Sequence, residues 1–141
     1  MSEELYMQLD VVTPEKSVLS RKVTEVIAPG SAGEFGVLIG HTPFLTTLKS
    51  GQVVAKTEDR DIFLAVGGGF AEVTSDRVII LAESAVLADD IDEKTVKADL
   101  DQAQDKLRGL NKEDPDFSRW DSKAREAELK LKVVENWRSR S

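Results

Sequence analysis

His41 is the single histidine of this 141-residue chain, and it lies in a stretch, Pro29 to Gly51, that holds five glycines and two prolines. Glycine next to histidine raises three chemistries: a phosphate cradle, a general base and a metal site. A phosphate cradle needs a glycine-rich turn that opens a helix, so that backbone N–H groups and the helix dipole face the anion. Gly30, Gly33 and Gly36 do not follow the Gly-x-Gly-x-x-Gly spacing, no Gly-Lys-Ser/Thr follows them, and Val37-Leu38-Ile39-Gly40 is β-like rather than helical. A zinc set needs further imidazoles or thiolates, and the chain has neither a second histidine nor any cysteine. No Ser-x-Gly elbow stands beside His41 to make it the base of a serine nucleophile. What these residue types do fit is a contact surface, with glycines at turns and bulges and His41 on an exposed turn between Gly40 and Pro43.

Two other groupings invite chemistry. The carboxylate pairs Glu58-Asp59 and Asp89-Asp90 have the residue types for acid–base work, but they stand where a turn and a helix cap are expected, and solvation and capping account for them. The run "VGGGFAEV" from Val66 to Val73 would let a backbone approach closely. Glycine inside a strand pattern marks a bulge, so the run is expected to be strand–bulge–strand with Phe70 and Val73 in the core.

The elements that must carry these residues change character near Ala88. Before it the period is two: Leu5, Met7, Leu9 and Val11 alternate with Tyr6, Gln8 and Asp10, and short β-rich runs such as "DIFLAVGGG" and "RVIILAES" are separated by glycine or charge. Frequent short strands predict a sandwich or barrel over residues 1–88. After it the period is helical. Val96, Leu100, Ala103, Leu107 and Leu110 form one apolar stripe, and Phe117, Trp120, Ala124, Ala127, Leu131 and Val134 a second. Asp90 with Glu93 suggests a capping box at the first helix, and Asn111 to Pro115 breaks it from the second. Residues 89–141 are therefore expected to form an antiparallel two-helix hairpin.

The hairpin is polarised in charge. Residues 89–110 carry seven acids and four bases, a net −3, whereas residues 117–141 carry seven bases and four acids, a net +3. Three of the eleven stripe positions are alanine, so the two helices gain little from each other at about 25 cal/mol per Å² of apolar area. The hairpin is expected to separate at modest cost, with Val133 and Trp137, off the stripe, adding apolar surface near its end.

The overall net charge of −7 opposes non-specific binding to nucleic acid, which needs the opposite sign. The absence of cysteine removes disulfides and thiolate sites and fits a reducing compartment. No apolar run approaches the roughly 20 residues that span a bilayer, and "MSEELYMQLDVV" is not the pattern of a signal peptide. The expectation is a soluble, cytoplasmic chain that meets a membrane only through a partner.

Taken in order, "GEFGVLIGHTPFLTTLKSG", "VGGGFAEV" and "VIILAESA" followed by a helical hairpin resemble the epsilon subunit of F-type ATP synthase over nearly the whole chain. The resemblance implies a ten-stranded β-sandwich or flattened barrel followed by two helices. It implies a non-catalytic subunit of the rotor stalk, on the cytoplasmic face of the membrane, that binds the gamma subunit, touches the ring of c subunits and couples proton flow to ATP synthesis. It also implies a hairpin that extends along gamma toward the alpha and beta subunits and blocks ATP hydrolysis. Glu34 matches the family's loop acid facing the c ring, and His41 the histidine facing gamma. Lys123, Arg125, Lys130 and Lys132 are the candidates for contact with an acidic segment of the beta subunit. Where the family usually has proline before the glycine, this chain has Ile39-Gly40. Some members bind ATP through Ile/Leu-Asp-x-x-Arg-Ala; here Ile91-Asp92 is present, but Thr95 and Val96 replace the arginine and alanine. Neither an ATP site nor a metal or other cofactor is therefore expected.

Two other classes remain open at this point: a stand-alone interaction module with a β domain and a coiled-coil hairpin, and a small hydrolase using His41 with a carboxylate.

Overall fold

A computed structural model describes residues 6–140; Leu5, the first residue of the expected alternation, lies outside them. The strands are β1 (Met7–Val12), β2 (Ser17–Val23), β3 (Glu25–Gly30), β4 (Gly33–Leu38), β5 (Phe44–Lys56), β6 (Asp61–Val73), β7 (Arg77–Ala82) and β8 (Ala85–Leu87). They form one sheet in the order β2-β1-β7-β6-β5-β3-β4, with β8 also paired to β6. Neighbours are antiparallel except for β1 and β7, which run parallel.

The sheet folds over on itself, because its strands share one core. Met7, Leu9 and Val11 from β1, Val26 and Ala28 from β3, Val53 and Ala55 from β5, Leu64 and Val66 from β6, and Val78 and Ile80 from β7 all pack together there. Alternation in β1 is strict: Met7, Leu9 and Val11 point in, while Gln8, Asp10 and Val12 are only half-buried. That is the signature of a sheet with one face in the core.

The described residues contain eight strands, not the ten that the resemblance implied, and the sheet is unclosed, ending at β2 and β4. The physical reason lies in β5 and β6. Each runs thirteen residues without a break, and they pair with each other along nearly their full length. β6 bends at Gly67–Gly69, where it exchanges one partner for another: Leu64 to Val66 pair with β8, and Gly69 to Val73 with β7. Gly69 has φ +135, and a Cβ there would lie 2.0 Å from the carbonyl oxygen of Leu81. Only glycine allows that approach. One bent strand thus serves both layers.

A 3₁₀ turn, Ala88–Asp90, follows β8 and leads into α1 (Glu93–Arg108) and then α2 (Phe117–Arg140). The cap of α1 is Asp92, not the Asp90–Glu93 box. Asp92 Oδ1 accepts from the backbone N–H groups of Lys94 and Thr95, and Asp92 Oδ2 accepts from the Thr95 hydroxyl at 3.0 Å. Thr95 lies three residues after Asp92 and can return a hydroxyl to it, which the Asp90 register does not offer; Asp89 and Asp90 are spent on the 3₁₀ turn. Between the helices Val96, Ala103, Ala124, Ala127 and Val134 are buried, so alanine does dominate the seam.

The hairpin lies against the β domain rather than standing free. Val133, off the stripe, is fully buried among Val54, Phe63, Ala65 and Ala88, with Leu129 and Trp137 packed beside it. α2 therefore has two apolar faces, one toward α1 and one toward β5 and β6.

Candidate functional site

The glycine stretch forms two structures. Its first part is the hairpin of β3 and β4, which closes from Gly30 to Gly33 through Ser31 and Ala32. The loop is pinned to β5, since Ser31 N–H donates to the Thr47 carbonyl at 3.0 Å and the Thr47 hydroxyl donates to Ser31 Oγ at 2.7 Å. Glu34 follows at the start of β4, opposite Pro29, and is exposed.

Its second part is the turn after β4. His41 N–H donates to the Leu38 carbonyl at 3.2 Å, and Gly40 has φ +82. A hydrogen bond from i+3 to i with a positive φ at i+2 is a type II β-turn. Gly40 N–H also donates to the Ser75 carbonyl at 2.6 Å, which ties this turn to the β6–β7 connection. His41 is half-buried. Its ring is 5.1 Å from that of Phe44, which in turn meets Phe35 edge-on at 5.4 Å, and its Nδ1 is 2.7 Å from the Thr42 carbonyl oxygen. No carboxylate stands in that set. Among the described residues there is no group of three His, Cys, Asp or Glu side chains placed to hold a metal.

The structure does not bring Glu34 and His41 together. They lie at opposite ends of β4, and at ~3.4 Å per residue the strand from Glu34 to Leu38 alone spans roughly 13 Å. The stretch thus holds the two side chains apart, Glu34 on the edge strand β4 and His41 in the turn beyond it.

A third feature was not anticipated. Phe70 does not enter the core; it is 51% exposed, while its neighbours Ala71 and Val73 are buried. The bend at Gly67–Gly69 sets the register, and Ala71 and Val73 take the inward positions. Phe70 faces Thr47 on β5 and Leu81 on β7 in direct register, and Leu81 faces Val12 on β1. Leu81 is 53% and Leu45 69% exposed. The outer face of β5, β6 and β7 therefore carries an uncovered apolar row. The sequence signal was an apolar residue on the outward beat of each strand.

Beside that row Asp10 anchors a polar network. It accepts from Ser20 Oγ at 2.7 Å, from Arg77 Nη2 at 3.1 Å and from Gln8 Nε2 at 3.3 Å. The Ser20 hydrogen bond, then those of Arg77 and Gln8, hold its carboxyl below the usual carboxylate range. The other pair, Glu58-Asp59, lies in the Thr57–Arg60 turn, where the Thr57 hydroxyl, the turn backbone and Arg21 lower Asp59 in the same sense.

The basic positions of α2 are spread around it. Lys123 lies 5.0 Å from the centre of the Trp120 ring, Arg125 pairs with Asp121 at 3.0 Å and Lys130 with Glu126 at 3.2 Å, and Lys132 is exposed. Ile91 is half-buried and Asp92 is engaged at the helix cap.

Residues 6–88 match the family described as ATP synthase, Delta/Epsilon chain, beta-sandwich domain. The chain belongs to the ATP synthase epsilon chain family. It is 41% identical over 134 residues to the ATP synthase epsilon chain of Geobacter metallireducens, covering 95% of this chain and 96% of that one. Epsilon chains are a non-catalytic subunit of the F-type complex that makes ATP. Two solved structures share the fold. A chain of the Euglena gracilis mitochondrial ATP synthase, in an assembly of OSCP, F1 and c-ring in rotational state 1, matches at TM-score 0.67 and 22% identity, over 93% of this chain and 78% of that chain. A chain of the central stalk and c-ring of the Tetrahymena thermophila enzyme matches at TM-score 0.59 and 18% identity, over 91% and 96% respectively. Among the described residues of this epsilon chain no helix is long and apolar enough to cross a membrane.

Proposed function

We propose that this epsilon chain is a rotor-stalk subunit that binds the gamma subunit through its β domain, meets the c ring at Glu34 and restrains ATP hydrolysis through its hairpin. The observation that carries the reading is the uncovered row of Leu45, Phe70 and Leu81. Large apolar side chains exposed together on one sheet face, with Phe70 and Leu81 in direct register, mark a protein interface, and His41 adds a second, half-polar contact beyond the end of β4. Glu34, exposed at the opposite end of that strand, suits a second partner. The Tetrahymena thermophila chain belongs to a central stalk and c-ring and the Euglena gracilis chain to an assembly that includes a c-ring, which favours a place in the rotor, and attachment to the membrane face follows from that place. The hairpin, released, would present Lys123, Arg125, Lys130 and Lys132 to an acidic surface of the alpha and beta subunits.

Co-purification with the gamma subunit tests the reading. Phe70→Asp is expected to abolish the complex, a bulky substitution at His41 to weaken it, and Glu34→Lys to spare it while impairing coupling. Undiminished gamma binding by Phe70→Asp would sink the assignment of this face. Removal of residues 89–141 is expected to leave gamma bound and raise ATP hydrolysis by the assembled enzyme; unchanged hydrolysis would leave the hairpin a purely structural element. Nucleotide sensing is not part of the proposal, because both carboxylate oxygens of Asp92 are used by the cap of α1. Micromolar ATP should leave the hairpin amide spectrum unchanged.

A further inference from the structure

The hairpin touches the β domain at one end only. Along its first half α2 stands off from β5 and β6, and an open cleft of about 790 Å³ lies between Ser122, Arg125 and Leu129 on the helix and Ser50, Ala65 and Ser84 on the sheet. From Leu129 onward the gap closes. Val133 is buried on Val54 and Phe63. The polar contacts that join α2 to other elements crowd into its last five residues. Asn136 Nδ2 donates to Gln52 Oε1 on β5 at 2.8 Å, and Arg140 pairs with Asp61 on β6 at 3.3 Å while lying 5.7 Å from the centre of the Phe63 ring. Arg138 pairs with Glu93 in the first turn of α1 at 2.5 Å, so the end of α2 is tied both to the sheet and to the start of its own hairpin.

We propose that the last turns of α2 form a latch, an apolar plug at Val133 closed over by Asn136 and Arg140, that sets how often the hairpin leaves the β domain and does so in a salt-dependent way, while Arg138 holds the end of α2 to the start of α1. The geometry is that of a lever held at its tip. The plug supplies non-directional affinity, which salt does not screen. The two polar ties to the sheet sit at the rim, where Arg140 remains more than half exposed and its attraction to Asp61 is screened within about 10 Å at ordinary ionic strength. Opening peels the end of α2 from Asp61 and Gln52 first, and this uncovers Val54 and Phe63. The cleft means that no second set of contacts resists once the tip is free. The proposal deepens the hairpin's regulatory role and rests on that role for its consequence, though not for its test.

The chain has no cysteine, so one introduced thiol reports opening without background. In full-length Val54→Cys the thiol lies beneath α2, and its labelling rate measures the fraction of time the hairpin is undocked. Arg140→Glu and Asp61→Arg are each expected to raise that rate about fivefold, the scale of an exposed ion pair turned repulsive. The double variant should return it to within about twofold of the parent, as a direct pair requires. Deleting residues 136–141 should raise it more than about tenfold, since both ties to the sheet go together with the packing of Trp137. In the parent the rate should climb from low to high salt. Should Val54→Cys fail to fold, the emission of Trp137 in a Trp120→Phe background reads the same opening for the two charge reversals and their double variant. A rate that ignores both reversals and the deletion overturns the latch, and reversals that the double variant does not rescue overturn the Arg140–Asp61 tie. Labelling is read on the isolated chain, so a failed gamma co-purification removes the stalk reading and leaves the latch standing, while a flat labelling series does the reverse.

Discussion

β5 and β6 have two outer faces, and the molecule treats them differently. Where the second half of β5 meets the first half of β6, the outward residues Val54, Phe63 and Ala65 are covered by α2. Past the bend at Gly67–Gly69 the outward residues Leu45, Phe70 and, on β7, Leu81 are bare. The same two strands are thus completed once from within the chain and once not at all. The covered face is closed by α2 of the chain itself; the bare face is the one proposed above to meet another protein. A fold that bends two long strands over its core gains two such faces on one scaffold.

Truncating the two phenylalanines should break this symmetry most visibly. Phe63→Ala removes a side chain that is 1% exposed and is expected to cost about 3 kcal/mol, the low end for a buried aromatic, in urea unfolding of the full chain. Phe70→Ala, seven residues along the same strand, is expected to stay within about 0.5 kcal/mol, as for surface positions. Equal costs would mean that the bare face is covered in the free protein.

Val133→Ala probes the covering side alone. It deletes two methylene equivalents from a fully buried position, for a cost of about 1.5 kcal/mol. The loss should fall on hairpin docking and leave the unfolding midpoint of the β sheet in the same full-length chain unchanged. A matching loss in thermal stability of the β sheet itself would show that the helix and sandwich unfold as one unit.

Much of this was legible in the sequence, though unevenly. Period two and then period 3.6 gave the two kinds of element, because burial on one face of a strand or a helix enforces those spacings. The seam of alanines and the off-stripe Val133 and Trp137 could be read directly. What could not be read was which beat of β6 faces inward past three consecutive glycines. A residue at φ +135 resets the alternation without changing its period, so Phe70 and Val73 both looked like core. Strand count failed for a related reason: Gly51 and Gly67–Gly69 looked like ends, whereas they are bends within continuous strands. The helix cap moved by two residues, to Asp92, because Thr95 offers a hydroxyl where the Asp90 register offers none. His41 was expected on an exposed turn and is half-buried, and its separation from Glu34 along β4 needed the pairing of that strand.

The bare face also has a polar half, and pH separates it from the apolar half. Asp10 is held below the usual carboxylate range by Ser20, Arg77 and Gln8. A group depressed in the folded state contributes stability that is fully present above its unfolded value, about 4, and that is lost as pH falls through the lower folded value. Asp10→Ala should therefore cost roughly 1 kcal/mol at neutral pH, the scale of hydrogen bonds to a partly solvated charge. It should also flatten the acid limb of the stability curve below about pH 4. An acid limb unchanged by the substitution would place that sensitivity in other carboxylates.

The smallest expected effect concerns the turn that carries His41. Ile39 occupies the second position of the type II turn from Leu38 to His41, and this position prefers proline because its φ is already near −60°. Leu38, the residue before it, ends β4 and is extended, as a residue preceding proline must be. Ile39→Pro should therefore stabilise through the unfolded state, by restricting chain freedom worth about 0.4–1 kcal/mol. Against this stands packing: Ile39 is half-buried against the sandwich core, and the proline ring fills less of that space. The net gain is expected to be below about 0.5 kcal/mol, measured by urea unfolding, and gamma binding should not fall. A clear loss of stability would mean that Ile39 holds the turn by its side chain rather than its backbone, which would tie the bare face to the core more firmly than the backbone hydrogen bonds of Gly40 and His41 alone.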